Sequence, residues 1–109
     1  TKAVCAVPQS QAVNTWLWSL FMQTSPCADA ALADLDGLDQ RAMLAALDVP
    51  ILGFVGGQDV FVPPDVGRSV AMFARRCQLV EFSQCGHAPF IEEGPRYRAA
   101  LLDFLRSLA

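Results

Sequence analysis

Two short apolar runs in the second half of the chain constrain its fold most. They are VPILGFVGG (residues 49–57) and CQLVEF (77–82). Neither alternates apolar with polar residues, as a strand with one wet face would. The first fits a strand covered on both faces, the usual condition of a parallel sheet, and the second reads as a further apolar strand. Between them lies DVGRSVAMFARR (65–76), with Val66, Val70, Met72 and Phe73 at helical spacing. Pro63 and Pro64 announce that helix, and Asp65 is expected to cap it. After the second run, SQCGHAPFIEEG (83–94) reads as a long loop. PRYRAALLDFLRSLA then closes the chain as an amphipathic helix. Pro95 stands at its start, and Tyr97, Leu101, Leu102, Phe104, Leu105 and Leu108 face inward. Strand, helix and strand in this order give parallel strands joined by a right-handed crossover, so the fold class is α/β.

Residues 1–48 follow a different pattern and read as helical throughout. Val13, Trp16, Leu17, Leu20 and Phe21 share one helical face, which Trp18 and Met22 widen. Ser10 suits the N-cap of that helix, and Pro26 ends it. The following stretch reads as two short helices broken at Gly37, with Asp39 at the N-cap of the second. Leu38, Ala42, Leu44 and Leu47 suit its inner face. The main boundary falls near residue 48.

Composition narrows the function classes. Apolar residues make up 53% of the 109, and charged ones 17%. For so short a chain that apolar excess needs a partner, a further part of the same protein or a ligand pocket to cover it. Net charge is −3 and the eight basic residues are scattered, which argues against nucleic-acid binding. The most apolar segment, AVNTWLWSLFM, is too short for a membrane span. Cys5, Cys27, Cys77 and Cys85 include no Cys-x-x-Cys pair, and the single histidine is too few for common zinc spacings. Four reduced thiols and a cytoplasmic setting are expected, with no metal or other cofactor. The chain begins at Thr1 rather than Met, which suggests a processed product or a fragment.

In open parallel sheets, functional groups collect on loops outside the carboxyl ends of the strands. The loop after the first run offers Asp59, and the loop after the second offers His87. Neighbouring strands bring both loops to the same end of the sheet. A carboxylate bonded to one imidazole nitrogen fixes the tautomer and stabilises the imidazolium that forms when the other nitrogen takes a proton. That pair is the base half of a nucleophilic triad. The rival Asp65 is assigned to helix capping. Ser69 lies inside the helix between Asp59 and His87 and is rejected as nucleophile. Thr1 has no supporting residue for an N-terminal-nucleophile role. Glu92 and Glu93 read as a solvated helix entrance, favourable at the positive end of its dipole.

These residues carry a resemblance. Gly56-Gly57-Gln58-Asp59 with Val62-Pro63, then Gly86-His87 and a final YRAALLDFL, resemble the C-terminal part of the α/β-hydrolase fold. The resemblance implies that Asp59 is the triad acid and His87 the triad base. It implies that residues 1–48 are the tail of a helical cap (lid) and 49–109 the C-terminal portion of the core. It points to a carboxylic ester as substrate. Trp16, Trp18, Phe21 and Met22 then either line an acyl pocket or pack cap against core. The chain also departs from the family: no Gly-x-Ser-x-Gly elbow occurs, and Glu92-Glu93-Gly94-Pro95 is one residue longer than the family's Glu-x-Pro. The nucleophile is therefore expected outside this chain, which alone should be inactive. Its expected partner is the remainder of the hydrolase core, or a second copy joined through an open sheet edge. The alternative is a non-catalytic binding or interaction module derived from the fold.

Overall fold

The structure is a computed structural model that describes residues 3–109, so Thr1 lies outside it. Helix α1 spans Gln11–Met22. Ser10 is extended, and its hydroxyl accepts from the Val13 N–H at 3.3 Å, the bond an N-cap supplies. Helix α2 (Pro26–Ala33) is capped in the same way by Ser25 and runs into a 3₁₀ turn, Asp34–Gly37. Helix α3 spans Arg41–Ala46. Its N-cap position is held by Gln40, not by the expected Asp39, although Asp39 Oδ1 still accepts from the Arg41 N–H at 3.0 Å. Leu44 and Leu47 of the expected inner face are half-buried, while Leu38 and Ala42 are exposed.

Strands β1 (Ile51–Gly56) and β2 (Cys77–Phe82) pair in parallel, from Ile51 beside Cys77 to Gly56 beside Phe82. Helix α4 (Pro64–Phe73) connects them. Two-residue periodicity sends Phe54 and Val55 to opposite faces of β1. Val55 meets α4 at Gly67, where an added Cβ would lie 3.3 Å from a Val55 methyl, so the absent side chain lets helix and strand approach. On the other face, the Phe54 ring lies 4.3 Å from the ring of Tyr97, on helix α6 (Gly94–Ser107). β1 is thus covered on both faces, as its unbroken apolar run requires. Phe82, at the end of β2, is 0% exposed.

Several side chains point elsewhere than their spacing suggests. Met72 is 81% exposed and Val66 is also outside; the face of α4 toward the sheet is set by Gly67. Asp65 does not cap α4 but pairs with Arg68 at 2.7 Å. On α6, Tyr97, Leu101 and Phe104 are half-buried, whereas Leu102, Leu105 and Leu108 are exposed. The expected long loop also contains one helical turn, α5 (Pro89–Glu92).

The helical front is joined to the sheet half. Cys5, Leu17 and Ala88 form one buried cluster, with Val4, Val13 and Ile91 around it. The two edges of the sheet differ. Bonds from Ile51 N to Arg76 O and from Gly57 N to Phe82 O show that even-numbered carbonyls of β2 face β1. The Glu81 carbonyl therefore faces away, and Arg96 covers it with a 2.8 Å hydrogen bond while stacking over Phe82. Among the described residues no strand pairs with the far edge of β1. No helix among them is long and apolar enough to cross a membrane.

Candidate active site

The site is built where β1 and β2 end. Beyond β1 the chain turns under local and cross-loop bonds. Gly57 N donates to Phe82 O at 2.8 Å, Gln58 N to Cys85 O at 2.8 Å, and Asp59 N to Gly56 O at 3.2 Å. The two loops touch at glycines. A Cβ on Gly56 would fall 1.8 Å from Gly86 O, so only hydrogen fits there.

This turn divides the labour of the Asp59 carboxylate. Oδ1 accepts from the backbone N–H groups of Phe61 (2.8 Å) and Val62 (3.1 Å), which fixes the side chain. Oδ2 lies 2.9 Å from His87 Nδ1. The carboxylate is 9% exposed and the imidazole 47%. Burial alone would raise the Asp59 pKa. The hydrogen bonds from His87, Val62 and Phe61 outweigh it and hold the carboxyl below its ordinary 3.8. Asp59 is therefore an anion at neutral pH and can only accept. The shared proton then sits on Nδ1, and neutral His87 keeps its lone pair on Nε2. Phe61 meets the imidazole edge-on at 5.2 Å between ring centres. Phe54, Val55, Val62 and Pro89 line a cavity of about 160 Å³ beside the pair.

The His87 backbone is held from two sides. Its N–H donates to Val4 O at 2.7 Å. The preceding Gly86 N–H donates to Glu92 Oε1 at 2.8 Å, while Glu92 Oε2 accepts from the Val7 N–H at 2.7 Å. Glu92 is thus not the solvated helix entrance expected of it but a half-buried bridge between Gly86 and Val7, and Val7 lies 85 positions from Glu92 in the chain. Glu93 faces the Cys85 thiol at 3.4 Å and pairs with Arg96 at 3.2 Å. No sequence periodicity points to the Glu92 bridge.

The structure brings Asp59 and His87 together, but it does not bring Trp16, Trp18, Phe21 or Met22 to them. All four are exposed on α1, and none lines the cavity at the pair. Ser69 Oγ donates to Val66 O within α4. Among the described residues no group of three His, Cys, Asp or Glu side chains is placed to hold a metal ion.

The comparisons with known proteins agree with this architecture. No family model matches the chain. The chain is 29% identical over 85 residues to a pimeloyl-[acyl-carrier protein] methyl ester esterase of Neisseria meningitidis serogroup C, covering 78% of this chain and 33% of that protein. Among solved structures, a thermophilic esterase from Thermogutta terrifontis superposes with a TM-score of 0.60 at 32% identity, over 63% of this chain and 25% of that one. A serine hydrolase involved in carbazole degradation superposes with a TM-score of 0.76 at 21% identity, over 99% of this chain and 45% of that one. The chain thus spans about a third of the length of the curated relative described.

Fold and site together define a hydrolase-type parallel sheet with an acid and a histidine on adjacent strand-end loops. The chain is the C-terminal portion of an α/β-hydrolase fold.

Proposed function

We propose that His87 and Asp59 are the base and the acid of a nucleophile–His–Asp relay in an acyl hydrolase that acts on carboxylic esters. One observation carries the reading: a nearly buried carboxylate lies 2.9 Å from Nδ1 of an imidazole that is half open to solvent. A base needs its free nitrogen accessible, and an orienting acid needs to be fixed and charged. The likeness to the Neisseria and Thermogutta proteins, both esterases, supports ester as the substrate class.

In this reading a serine-type hydroxyl from outside these residues attacks the ester carbonyl carbon. Its proton passes to His87 Nε2 as the carbonyl π pair moves to oxygen. When the tetrahedral intermediate collapses, the bond to the alcohol oxygen breaks and the imidazolium returns the proton to that oxygen. Water then attacks the acyl-enzyme by the same route and releases the acid. Asp59 stays ionised throughout and stabilises the imidazolium. The sequence contains no Gly-x-Ser-x-Gly elbow, so these residues alone should not turn over esters.

The remainder of the hydrolase core is the natural partner for the uncovered edge of β1. A chain without it should self-associate through that edge. A cytoplasmic setting fits four unpaired thiols. Hydrolysis of p-nitrophenyl butyrate tests the reading. The protein that unites this chain with its nucleophile-bearing segment should cleave the ester, and the 109 residues alone should match buffer. Turnover by the isolated chain, or none by the united protein, would remove the support for it.

A further inference from the structure

We infer that Glu92 is a positioning residue for His87, acting together with the backbone of residues 4–7. Its functional meaning rests on the reading of His87 as the base, but the placement itself does not.

His87 hangs on a peptide held on three sides. Behind it, Gly56 presses against Gly86 O, where no Cβ fits. In front, a Cβ on Gly86 would come within 2.9 Å of both Val4 O and Ala6 N, so the N-terminal segment lies directly on the loop. The third side is the Glu92 carboxylate. One oxygen takes the Gly86 N–H (2.8 Å) and the other the Val7 N–H (2.7 Å), while His87 N donates to Val4 O (2.7 Å). Among the described residues Glu92 forms no ion pair, although Glu93 beside it does. A half-buried carboxylate compensated by two backbone N–H groups makes charge-assisted bonds with defined direction. The bond to Gly86 N–H fixes the Cys85–Gly86 peptide, and the bond to Val7 N–H holds the segment whose Val4 O takes the N–H of the next peptide, that of His87; together they set the direction of the Cα–Cβ bond that aims the imidazole at Asp59. The N-terminal segment is therefore part of the floor of the site and not only the approach to a lid.

His87 is the only histidine, so its ring nitrogens give one unambiguous set of NMR signals. The test compares the ¹⁵N-labelled chain with Glu92→Ala, Glu92→Gln and, as a stability control away from the loop, Phe104→Ala. Wild type should show Nδ1 protonated and its proton slow to exchange through the bond to Asp59. In Glu92→Ala that proton should exchange at least about tenfold faster, the size expected for losing a charge-assisted bond. Gln keeps one acceptor oxygen and should fall between. Phe104→Ala should lower the melting temperature without changing the Nδ1 signal. Free Gly86 and Val7 amides with an unaltered Nδ1 signal in Glu92→Ala would overturn the inference, leaving Glu92 a structural staple. If Glu92→Ala does not fold, the Gln variant decides by the same criterion. Failure here leaves the ester-hydrolase reading standing, since that is tested by turnover.

Discussion

Replacing Gly56 by alanine is the sharpest test of how the two loops are held together. The added Cβ would stand 1.8 Å from Gly86 O, 2.8 Å from Gly86 C and 2.9 Å from Cys85 O. Real Cβ atoms essentially never come closer than 3.0 Å, and the atoms in the way are backbone, which cannot rotate aside. The His87 loop must then withdraw from the end of β1 by about 1.2 Å, the shortfall between 1.8 and 3.0 Å. Along the line from Nδ1 to Oδ2, a withdrawal of that size would turn the 2.9 Å contact into one of about 4.1 Å, beyond hydrogen-bond reach. Overpacking of this kind costs about 1–3 kcal/mol of stability. The assay is a thermal melt together with the Nδ1–H resonance of the single histidine. The variant should melt lower and lose the resonance. Gly37→Ala is the control: nothing lies within 4 Å of its added Cβ and its φ is not positive, so stability should hold or rise slightly. A Gly56→Ala chain with the wild-type melt and an unchanged resonance would refute the reasoning.

Three further outcomes follow from the same structure. The Asp59 carboxyl is held below its ordinary 3.8 in the folded chain, so its stabilisation is present above that value and is lost as pH falls through the lowered native value. Melts of wild type and Asp59→Asn should therefore differ at pH 7 and converge in strong acid; a constant gap would contradict the assignment. Phe82→Ala empties a site that is 0% exposed and should cost about 3–5 kcal/mol, read from denaturant unfolding, whereas a loss below 1 kcal/mol would mean that the end of β2 is not core. Burial, with the Glu93 carboxylate adding to it, pushes the Cys85 thiol up to about 12. At pH 8 its thiolate fraction is on the order of 10⁻⁴, so a disulfide reagent should modify exposed Cys27 promptly and Cys85 only on unfolding.

The sheet half of the molecule was legible because its signals are local. Pro50 and Gly56–Gly57 bracket one apolar run, a proline pair opens the intervening helix, and unbroken hydrophobicity marks strands with two covered faces. Adjacent parallel strands then deliver Asp59 and His87 to one place, whatever their 28-residue separation. What could not be read depends on contacts between distant segments. Glu92 bonds the Val7 N–H, and neither residue's neighbours announce the other. Met72 satisfied the helical period of α4, yet the face toward β1 is chosen by Gly67, the residue that allows close approach. Periodicity marks an apolar face without saying what covers it, and Trp16, Trp18, Phe21 and Met22, open in the sequence to a pocket or a packing role, are exposed on α1 and away from the cavity at the pair.

The central claim is that His87, oriented by Asp59, takes a proton from a nucleophile. The rate of covalent labelling by a fluorophosphonate, measured on the protein that unites this chain with its nucleophile-bearing segment, tests it most directly. Labelling should be rapid in wild type and slower by about 10³-fold or more in His87→Ala and Asp59→Asn. Equal labelling rates in all three would contradict the account.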